Sequence, residues 1–388
     1  MAGNSKTPDI KITWKDRPLT EVHSVEVEDH DQLIDKATIT LDDAARIAPT
    51  TAGIEETVKI EMGWDGQTAV LFEGLVVQAG GDAGQHGSKA QIVAYDLSVR
   101  MHRKHTSHPI TKGTKLSDLV RQIASNPDYK FSSADINIDL DDDPEVDRDM
   151  NEPNTTDLQF LQKLAREYQC RTFVEYNAPP GGGAAGAAAQ GHSQFYFWSL
   201  SKIMQKDPAG TLYFCPGVHQ LVEFRYQRVA AGADPERTVS AVDDRTGAVV
   251  TNPSSPTPGE QSLNMPEDID RDLPGVSDRA DAAAQAVVDE ASSSAGKPHD
   301  QVKQKTAAGG PSDKTAASKA TKRDPTRIMG VLGEGTATGN IGIRAKSKLT
   351  LIGICPWYEG DWYVKVVRHH YELAGGIPSY TTRFLATR

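Results

Sequence analysis

Three regularly spaced histidines are the residues in this sequence that most suggest metal chemistry. His102, His105 and His108 recur at every third position, with Arg103 and Lys104 between the first two. A metal site requires several imidazole rings to converge on one point. The segment follows a predicted strand and precedes a proline, so the pattern does not force the rings together. We interpret it as a solvated or interfacial basic loop, with metal binding as the alternative.

An acidic run between residues 139 and 149 resembles the start of a calcium loop. Asp139, Asp141 and Asp143 stand at the alternate positions that begin an EF-hand. Pro144 stands where that loop needs its glycine, and Met150 stands where it needs a bidentate glutamate. The run is therefore predicted to be a solvated acidic loop, and we expect no metal or other cofactor.

Two further groups of side chains could take part in catalysis. His369 and His370 lie in a predicted strand, where neighbouring side chains point to opposite faces, so at most one can line a given site. We interpret the one that faces the interior as a buried structural histidine. Ser193, Ser199 and Ser201 lack a recognisable nucleophile motif or partner. The chain is therefore predicted not to be an enzyme.

An amphipathic helix followed by a hairpin is the clearest element that the sequence predicts. Thr156 and Gln159 have the spacing of a capping box at the helix start. The apolar stripe recurs at three- and four-residue spacing and consists of Leu158, Leu161, Leu164, Ala165 and Tyr168.

Two strands follow this helix. The first alternates through Cys170, Thr172, Val174 and Tyr176, and the second covers Gln194 to Ser199. The Gly/Ala-rich stretch 179–191 would lengthen the hairpin tip. A second, shorter helix is predicted before this unit, with a stripe of Leu116, Leu119, Val120 and Ile123.

Strand patterns dominate both ends of the chain. Six alternating segments between residues 8 and 100 predict an antiparallel barrel or sandwich, with glycine-rich turn residues at 80–87. Strand character returns at residue 211, and three more strands are expected from Ile341 onward. Between them, 251–325 is predicted to be a flexible excursion with one alanine-rich helix and a basic part, Lys297 to Arg327.

Composition limits the kind of partner. The 388 residues carry a formal net charge of -11, which argues against nucleic acid or an anionic membrane as the main partner. Cys170, Cys215 and Cys355 are few and odd in number, so no disulfide framework is indicated. No signal peptide or membrane span is apparent, so we expect the protein to be made and assembled in the cytoplasm.

Two segments resemble the late control gene D proteins of contractile-tailed phages and the hub region of VgrG spikes. The helix segment NTTDLQFLQKLAREYQC resembles a characteristic motif of that family. The matching residues are Asp157, Leu158, Phe160, Leu161, Leu164 and Ala165. The C-terminal segment from Lys346 resembles the closing strands of the family. Its matching residues are Gly360, Tyr363, Val364, Val367, His369 or His370, Tyr380, Thr381, Thr382 and Phe384.

The resemblance implies a mainly β fold with an α+β insertion, in which two tube-forming β-barrel domains build a trimeric ring. The implied domains are a first barrel at 1–105, an inserted α+β domain at 106–210, and a second barrel made of 211–250 and 326–388. It implies a structural baseplate hub that joins a spike to the hexameric inner tube. The expected partners are itself as a homotrimer, a separate spike protein, the tube protein and other baseplate proteins, with no membrane contact in the resting state.

A tail-associated enzyme that degrades cell wall or glycans is the alternative from another class. Its motivation is the acidic cluster together with Trp198, Trp357 and Trp362. Aromatic residues at strand positions are more often core or interface residues than binding platforms. The sequence leaves open whether the particle is a phage tail, an extracellular injection system or a related apparatus.

Overall fold

The structure, a computed structural model, describes most of both β regions and the α+β unit between them. It covers residues 7–43, 53–84, 87–103, 109–146, 155–177, 191–214, 220–228, 237–242, 249–254, 331–356 and 358–388. His105, His108, Met150, Cys215 and Trp357 lie outside the described residues, as do the predicted alanine-rich helix and the basic segment. In the part that is described, no helix is long and apolar enough to cross a membrane.

Seven strands form the described part of the first β region, one more than the six that the alternation predicts, because of the short β2. They are β1 (Pro8–Trp14), β2 (Arg17–Pro18), β3 (Val22–His30), β4 (Lys36–Asp42), β5 (Thr57–Trp64), β6 (Gln67–Gly84) and β7 (Gly87–Asp96). The prediction that the whole stretch 80–87 consists of turn or bulge residues is corrected in its extent, because Gly80 pairs with Gln91 and Gly84 pairs with Gly87 within the antiparallel β6–β7 ladder. The glycines there are strand residues, and the hairpin is longer than their turn propensity suggests.

The α+β unit follows and contains four short α-helices among its described residues. These are α1 (Val99–His102), α2 (Leu116–Ala124), α3 (Asp157–Glu167) and α4 (Leu200–Gln205), with 3-10 turns at Pro127–Tyr129 and Ser133–Asp135. The predicted capping box is present, since the Gln159 amide donates to Thr156 Oγ1 at 3.2 Å and the Thr156 amide donates to Gln159 Oε1 at 3.2 Å. The helix ends where Gln169 adopts a positive φ of 55°.

The predicted hairpin is part of a three-stranded sheet. It consists of β9 (Cys170–Asn177) and β10 (His192–Ser199), which pair antiparallel. A third strand, β8 (Ile136–Asp139), pairs parallel with β10. Asp139 therefore ends a strand, and the acidic loop begins only after it.

The described residues of the second β region form one more strand than the sequence predicts. Its strands are β11 (Thr211–Tyr213), β12 (Leu221–Arg228), β13 (Arg237–Val242), β14 (Val249–Ser254), β15 (Val331–Thr338), β16 (Ser347–Ile352), β17 (Gly360–Ala374) and β18 (Ile377–Thr387). The expectation that order resumes at Ile341 is wrong, because β15 precedes it. The start of the excursion is also corrected, since β14 pairs with β13 as far as Ser254.

The strand β15 was not predicted because it contains two glycines. Gly333 and Gly335 lower strand propensity, but a Cβ at Gly333 would meet the Phe224 ring at 2.4 Å, and one at Gly335 would meet the Phe384 ring at 2.2 Å. The aromatic rings occupy the space over this strand, so only glycine fits.

One sheet runs through both β regions. Among the described residues it has thirteen strands, with the main order β12-β15-β18-β17-β3-β4-β7-β6-β5-β1-β2, while β11 and β16 extend it beside β17. The link is β17, which pairs with β3 from Val366–His30 to Glu372–Ser24. The strand β18 lies between β15 and β17, so it is not a sheet edge. The fold is mainly β with a few short helices, as predicted.

In the part of the chain that the structure describes, the buried apolar residues form four clusters. One belongs to the α+β unit and includes Leu161 and Phe195. A second lies in the first β region, with Tyr371 and Tyr380 added from β17 and β18, and a third lies in the second β region. A small fourth cluster places Tyr363 against α4.

Candidate functional site

The structure does not bring the acidic residues singled out by the sequence together. Asp143 accepts hydrogen bonds from the Ser117 amide at 2.9 Å and hydroxyl at 2.7 Å, whereas Asp141 accepts one from the Ser201 hydroxyl. Asp139 faces Lys202 at 4.0 Å. The three carboxylates therefore have different partners. No group of three or more His, Cys, Asp or Glu residues that could hold a metal occurs within the described part of the chain.

The serine and tryptophan candidates have structural surroundings. Ser193 donates its hydroxyl to Glu73 Oε2 at 2.5 Å, which ties β10 to β6. The Ser199 and Ser201 hydroxyls lie 3.0 Å apart. Trp362 is fully buried with a relative exposure of 0%, and Trp198 is half-buried with the Lys206 ammonium 3.2 Å from its ring centroid. Trp362 is therefore not the exposed platform that the enzyme hypothesis requires.

The two adjacent histidines of β17 separate onto opposite faces, as expected. His369 is fully buried and lies within hydrogen-bonding distance of Tyr380 Oη at 2.9 Å and the Ile343 carbonyl at 3.1 Å. The carbonyl can only accept, so Nε2 carries the proton of the neutral ring. Burial, aided by Arg344, lowers the pKa of His369 to about 3. His370 lies on the other face, near Glu26 and Glu372 at 3.7 Å each.

The residues carrying the sequence resemblance are placed mostly in the interior. Those of α3 lie in the core of the α+β unit, where Asp157 accepts a hydrogen bond from Tyr129 Oη. Gly360 begins β17 with a φ of 110°. In the closing strands, Tyr363, Val364, Val367, His369, Tyr380, Thr382 and Phe384 are buried and Thr381 is half-buried. Most of these residues therefore pack in the interior, and Asp157 and His369 also form hydrogen bonds there.

A buried charge cluster, which sequence analysis missed, lies where the three units meet. At its centre the Lys346 ammonium contacts Asp29 Oδ1 at 2.5 Å, the His30 carbonyl at 3.0 Å and Glu175 Oε1 at 3.1 Å. Asp29 also accepts from the Arg344 guanidinium and the Ala345 amide, each at 3.0 Å. The segment 344–346 is thereby fixed to β3 of the first β region and to β9 of the α+β unit.

Further carboxylates surround this lysine. Asp35 Oδ2 lies 3.5 Å from Lys346 Nζ, and Asp96 accepts from the Asp35 amide at 2.7 Å. Nearby, Arg171 of β9 faces Asp31 of the β3–β4 turn at 3.5 Å. Although burial opposes ionisation, Lys346 and Arg344 hold the pKa of Asp29 far below its usual range. Burial and the neighbouring carboxylates Asp29 and Asp96 hold the pKa of Asp35 well above its usual range, against the opposing charge of Lys346.

The face of the long sheet that points away from the cores carries charged side chains. One cross-strand row joins both β regions and consists of Glu223, Thr336, Arg383, Arg368, Glu28 and Lys36. Glu28 pairs with Lys36 at 3.2 Å and with Arg368 at 3.4 Å. Arg368 and Arg383 are exposed and directly opposite each other. This face suits contact with water or with a polar partner.

The strand β12 forms one end of the described sheet. It pairs with β15 alone among the described strands, and two of its apolar side chains, Val222 at 56% and Tyr226 at 42%, are exposed. An unpaired strand edge offers amide and carbonyl groups to another chain. Exposed apolar side chains beside such an edge favour a protein contact.

Comparison with known proteins gives similarity in structure alone. No family model matches the sequence, and no curated protein is detectably similar to it. The chain is similar to the tail protein from Neisseria meningitidis MC58, with a TM-score of 0.59 and 10% identity over 98% of this chain and 96% of that chain. It is also similar to the 43 kDa tail protein of prophage MuSo2 from Shewanella oneidensis, with a TM-score of 0.60 and 9% identity over 98% of both chains.

A third similar structure comes from a secretion apparatus. It is the E. coli c3393 protein, a component of the type VI secretion system that exhibits structural similarity to the T4 bacteriophage tail proteins gp27 and gp5. The TM-score is 0.56 and the identity 11%, over 98% of this chain and 76% of that chain. The chain therefore has the fold of these tail and secretion proteins over nearly its full length. The resemblance expected from the two sequence segments is confirmed at the level of the fold.

Proposed function

We propose that this chain is a baseplate hub protein, which as a homotrimer joins a separate trimeric spike to the hexameric inner tube of a contractile tail or injection apparatus. The observation that carries this proposal is the single sheet that runs through both β regions, in a chain with the fold of phage tail proteins. Its place would be the baseplate, with the spike, the tube protein and other baseplate proteins as partners.

In the proposed hub, two β regions per chain would allow a threefold ring to match the sixfold symmetry of the tube. Each β region has a core cluster of its own, and the α+β unit has another. This supports the proposed division into a first tube domain, an α+β domain and a second tube domain, with α1 assigned to the α+β domain and the first part of the second tube domain extended to Ser254. If both tube domains have a similar shape, three copies present six units to a hexameric tube.

The charged row is the proposed water-facing surface of the ring. A sheet with one face on a core and the other in water alternates apolar and polar residues, which is the pattern of β3 and β17. The row Glu223 to Lys36 crosses both β regions without an interruption in pairing. A ring built from such sheets would expose a continuous polar lining.

The proposed subunit contact is the open edge of β12. The closing strand β18 cannot supply it, because β15 and β17 occupy both of its edges. A neighbouring copy that covers β12 would satisfy the amide and carbonyl groups there and bury Val222 and Tyr226.

Mass photometry of the purified chain, alone and with its cognate spike, tests the hub proposal. We expect a trimer, either alone or on addition of the spike, and a threefold ring in negative-stain images. A monomer or dimer that persists at high concentration with the spike present would contradict the proposal. Peptidoglycan zymography separates it from the enzyme alternative, since a clear zone would favour hydrolysis.

A further inference from the structure

The buried cluster around Lys346 holds more carboxylates than cations. Three cationic side chains, Arg171, Arg344 and Lys346, face five carboxylates, namely Asp29, Asp31, Asp35, Asp96 and Glu175. Asp29, Asp31, Asp35, Asp96 and Lys346 are all buried. An unpaired charge in a buried site costs free energy. An excess of carboxylates over cations therefore favours binding of a proton by one of these carboxylates.

The hydrogen-bonding capacity of Lys346 shows that Asp35 is not among the three closest partners of this ammonium. An ammonium has three N–H donors, and the three shortest contacts of Lys346 go to Asp29 at 2.5 Å, the His30 carbonyl at 3.0 Å and Glu175 at 3.1 Å. Asp35 Oδ2 is the fourth neighbour, at 3.5 Å. Arg344 is directed at Asp29 and not at Asp35.

Asp35 also lies beside other acidic groups. Its own amide donates to Asp96 Oδ2 at 2.7 Å, which brings two buried carboxyl groups close together, and Asp96 Oδ1 accepts from the Ser98 amide at 2.7 Å. Asp35 Oδ1 accepts one hydrogen bond, from the His30 amide at 2.8 Å. Two like charges at such a site do not ionise together at low cost.

We propose that Asp35 is a neutral carboxylic acid in the folded subunit, and that loss of its proton loosens the seam at which segment 344–346, β3 and β9 meet. Ionised Asp35 would add a negative charge beside Asp29 and Asp96 and compete for Lys346 with Asp29 and Glu175. The contacts that fix Ala345 and Lys346 to Asp29 are then weakened. The cluster is thus a proton-dependent latch between the two β regions and the α+β unit.

The direction of the pH effect follows from linkage. Burial, with Asp29 and Asp96 nearby, raises the pKa of Asp35 above its unfolded value of 3.8. Above pH 3.8 the folded state therefore holds more protons than the unfolded state, so stability falls as the pH rises toward the folded pKa. One linked proton changes the unfolding equilibrium constant by up to about tenfold per pH unit.

The test compares the full-length protein with Asp35→Asn, which keeps the size and hydrogen-bonding shape of a neutral carboxylic acid. Both proteins are unfolded with denaturant at a series of pH values above 4. The unfolding equilibrium constant of the wild type, divided by that of the variant, should rise by up to about tenfold per pH unit. Asp82→Asn, at an exposed position of β6, is the matched control and should follow the wild type. Equal pH dependence of wild type and Asp35→Asn would overturn the proposal.

Two measurements make the test local and independent of how the variant folds. Hydrogen exchange at the Ala345 amide, which donates to Asp29, should accelerate with pH in the wild type beyond the intrinsic base-catalysed increase, and less so in Asp35→Asn. Infrared spectroscopy of the wild type at pH 6 should detect the C=O stretch of a protonated carboxylic acid. If that band is absent, or if it is unchanged in Asp35→Asn, Asp35 carries no proton and the proposal is overturned.

Discussion

His369 shows how one buried side chain links a strand pair to its neighbouring segment. Its ring lies between Tyr380 of β18 and the Ile343 carbonyl, while Thr382 Oγ1 accepts from the Asn340 amide at 2.9 Å. The ring is held neutral because the charged form would be desolvated. The same burial that makes this histidine useful for packing removes it from acid–base chemistry near neutral pH.

Acid should destabilise the protein through His369. Its pKa is lowered from 6.5 to about 3 on folding, so the stability it supports is complete above pH 6.5 and is lost as the pH falls toward 3. The loss from this group between pH 7.5 and pH 5 should be about 2 kcal/mol. In His369→Gln, which cannot take up a proton, the free energy of unfolding should be lower at pH 7.5 but fall less at pH 5. An equal fall in both proteins would contradict the assignment.

At the level of elements, α3 is the helix against which the α+β core assembles. Its stripe residues Leu158, Leu161 and Leu164 share one cluster with Phe195 of β10, and Ile34 from the β3–β4 turn packs on that cluster. The capping box fixes the start of the helix at Thr156. The helix is thus held at its start by its own side chains and along its face by two other elements.

A charge in the stripe of α3 should unfold the α+β unit. Leu161→Asp places a carboxylate at a position with 0% exposure, at an expected cost of about 3–5 kcal/mol in the free energy of unfolding. Arg166→Ala, on the exposed side of the same helix, should cost less than about 0.5 kcal/mol. Denaturant unfolding measures both. A stable Leu161→Asp variant would mean that the packing of α3 described above is wrong.

At the level of the whole molecule, the described sheet has a charged row on the face away from the cores and ends at β12. A trimeric ring needs a contact in which two different patches of the same chain meet, because a threefold interface is heterologous. For the proposed trimer, the β12 edge would supply one such patch, since β15 is the only described strand paired with it and Val222 and Tyr226 are exposed beside it. The sheet edge is therefore where a change should alter assembly without altering the fold.

A lysine on β12 should weaken formation of the proposed trimer and leave the subunit folded. Val222→Lys changes a side chain that is 56% exposed, so the free energy of unfolding should move by less than about 1 kcal/mol. Burying the new charge against a neighbour is unfavourable, so mass photometry with the spike should show fewer trimers. The control is Ile377→Lys, at the first residue of β18 and 73% exposed, which should assemble normally. Normal trimers of Val222→Lys would exclude this edge as the contact.

The sequence by itself determined the local elements. The stripes of α2 and α3, the capping box at Thr156 and the alternation in β9 and β10 all predict the observed elements, because these depend on neighbours within about four residues along the chain. The separation of His369 from His370 follows from the strand period in the same way. The segments that carry the family resemblance are such elements too.

Only the tertiary structure decided what these elements build. β15 was missed because the rings that require Gly333 and Gly335 come from β12 and β18, far away in sequence. The buried cluster was missed because Asp29 and Lys346, which meet at 2.5 Å, each appear in the sequence as an ordinary surface charge. The joining of both β regions into one sheet rests on the pairing of β17 with β3, residues separated by most of the chain. Long-range pairing and burial depend on the whole packed molecule, and no local pattern encodes them.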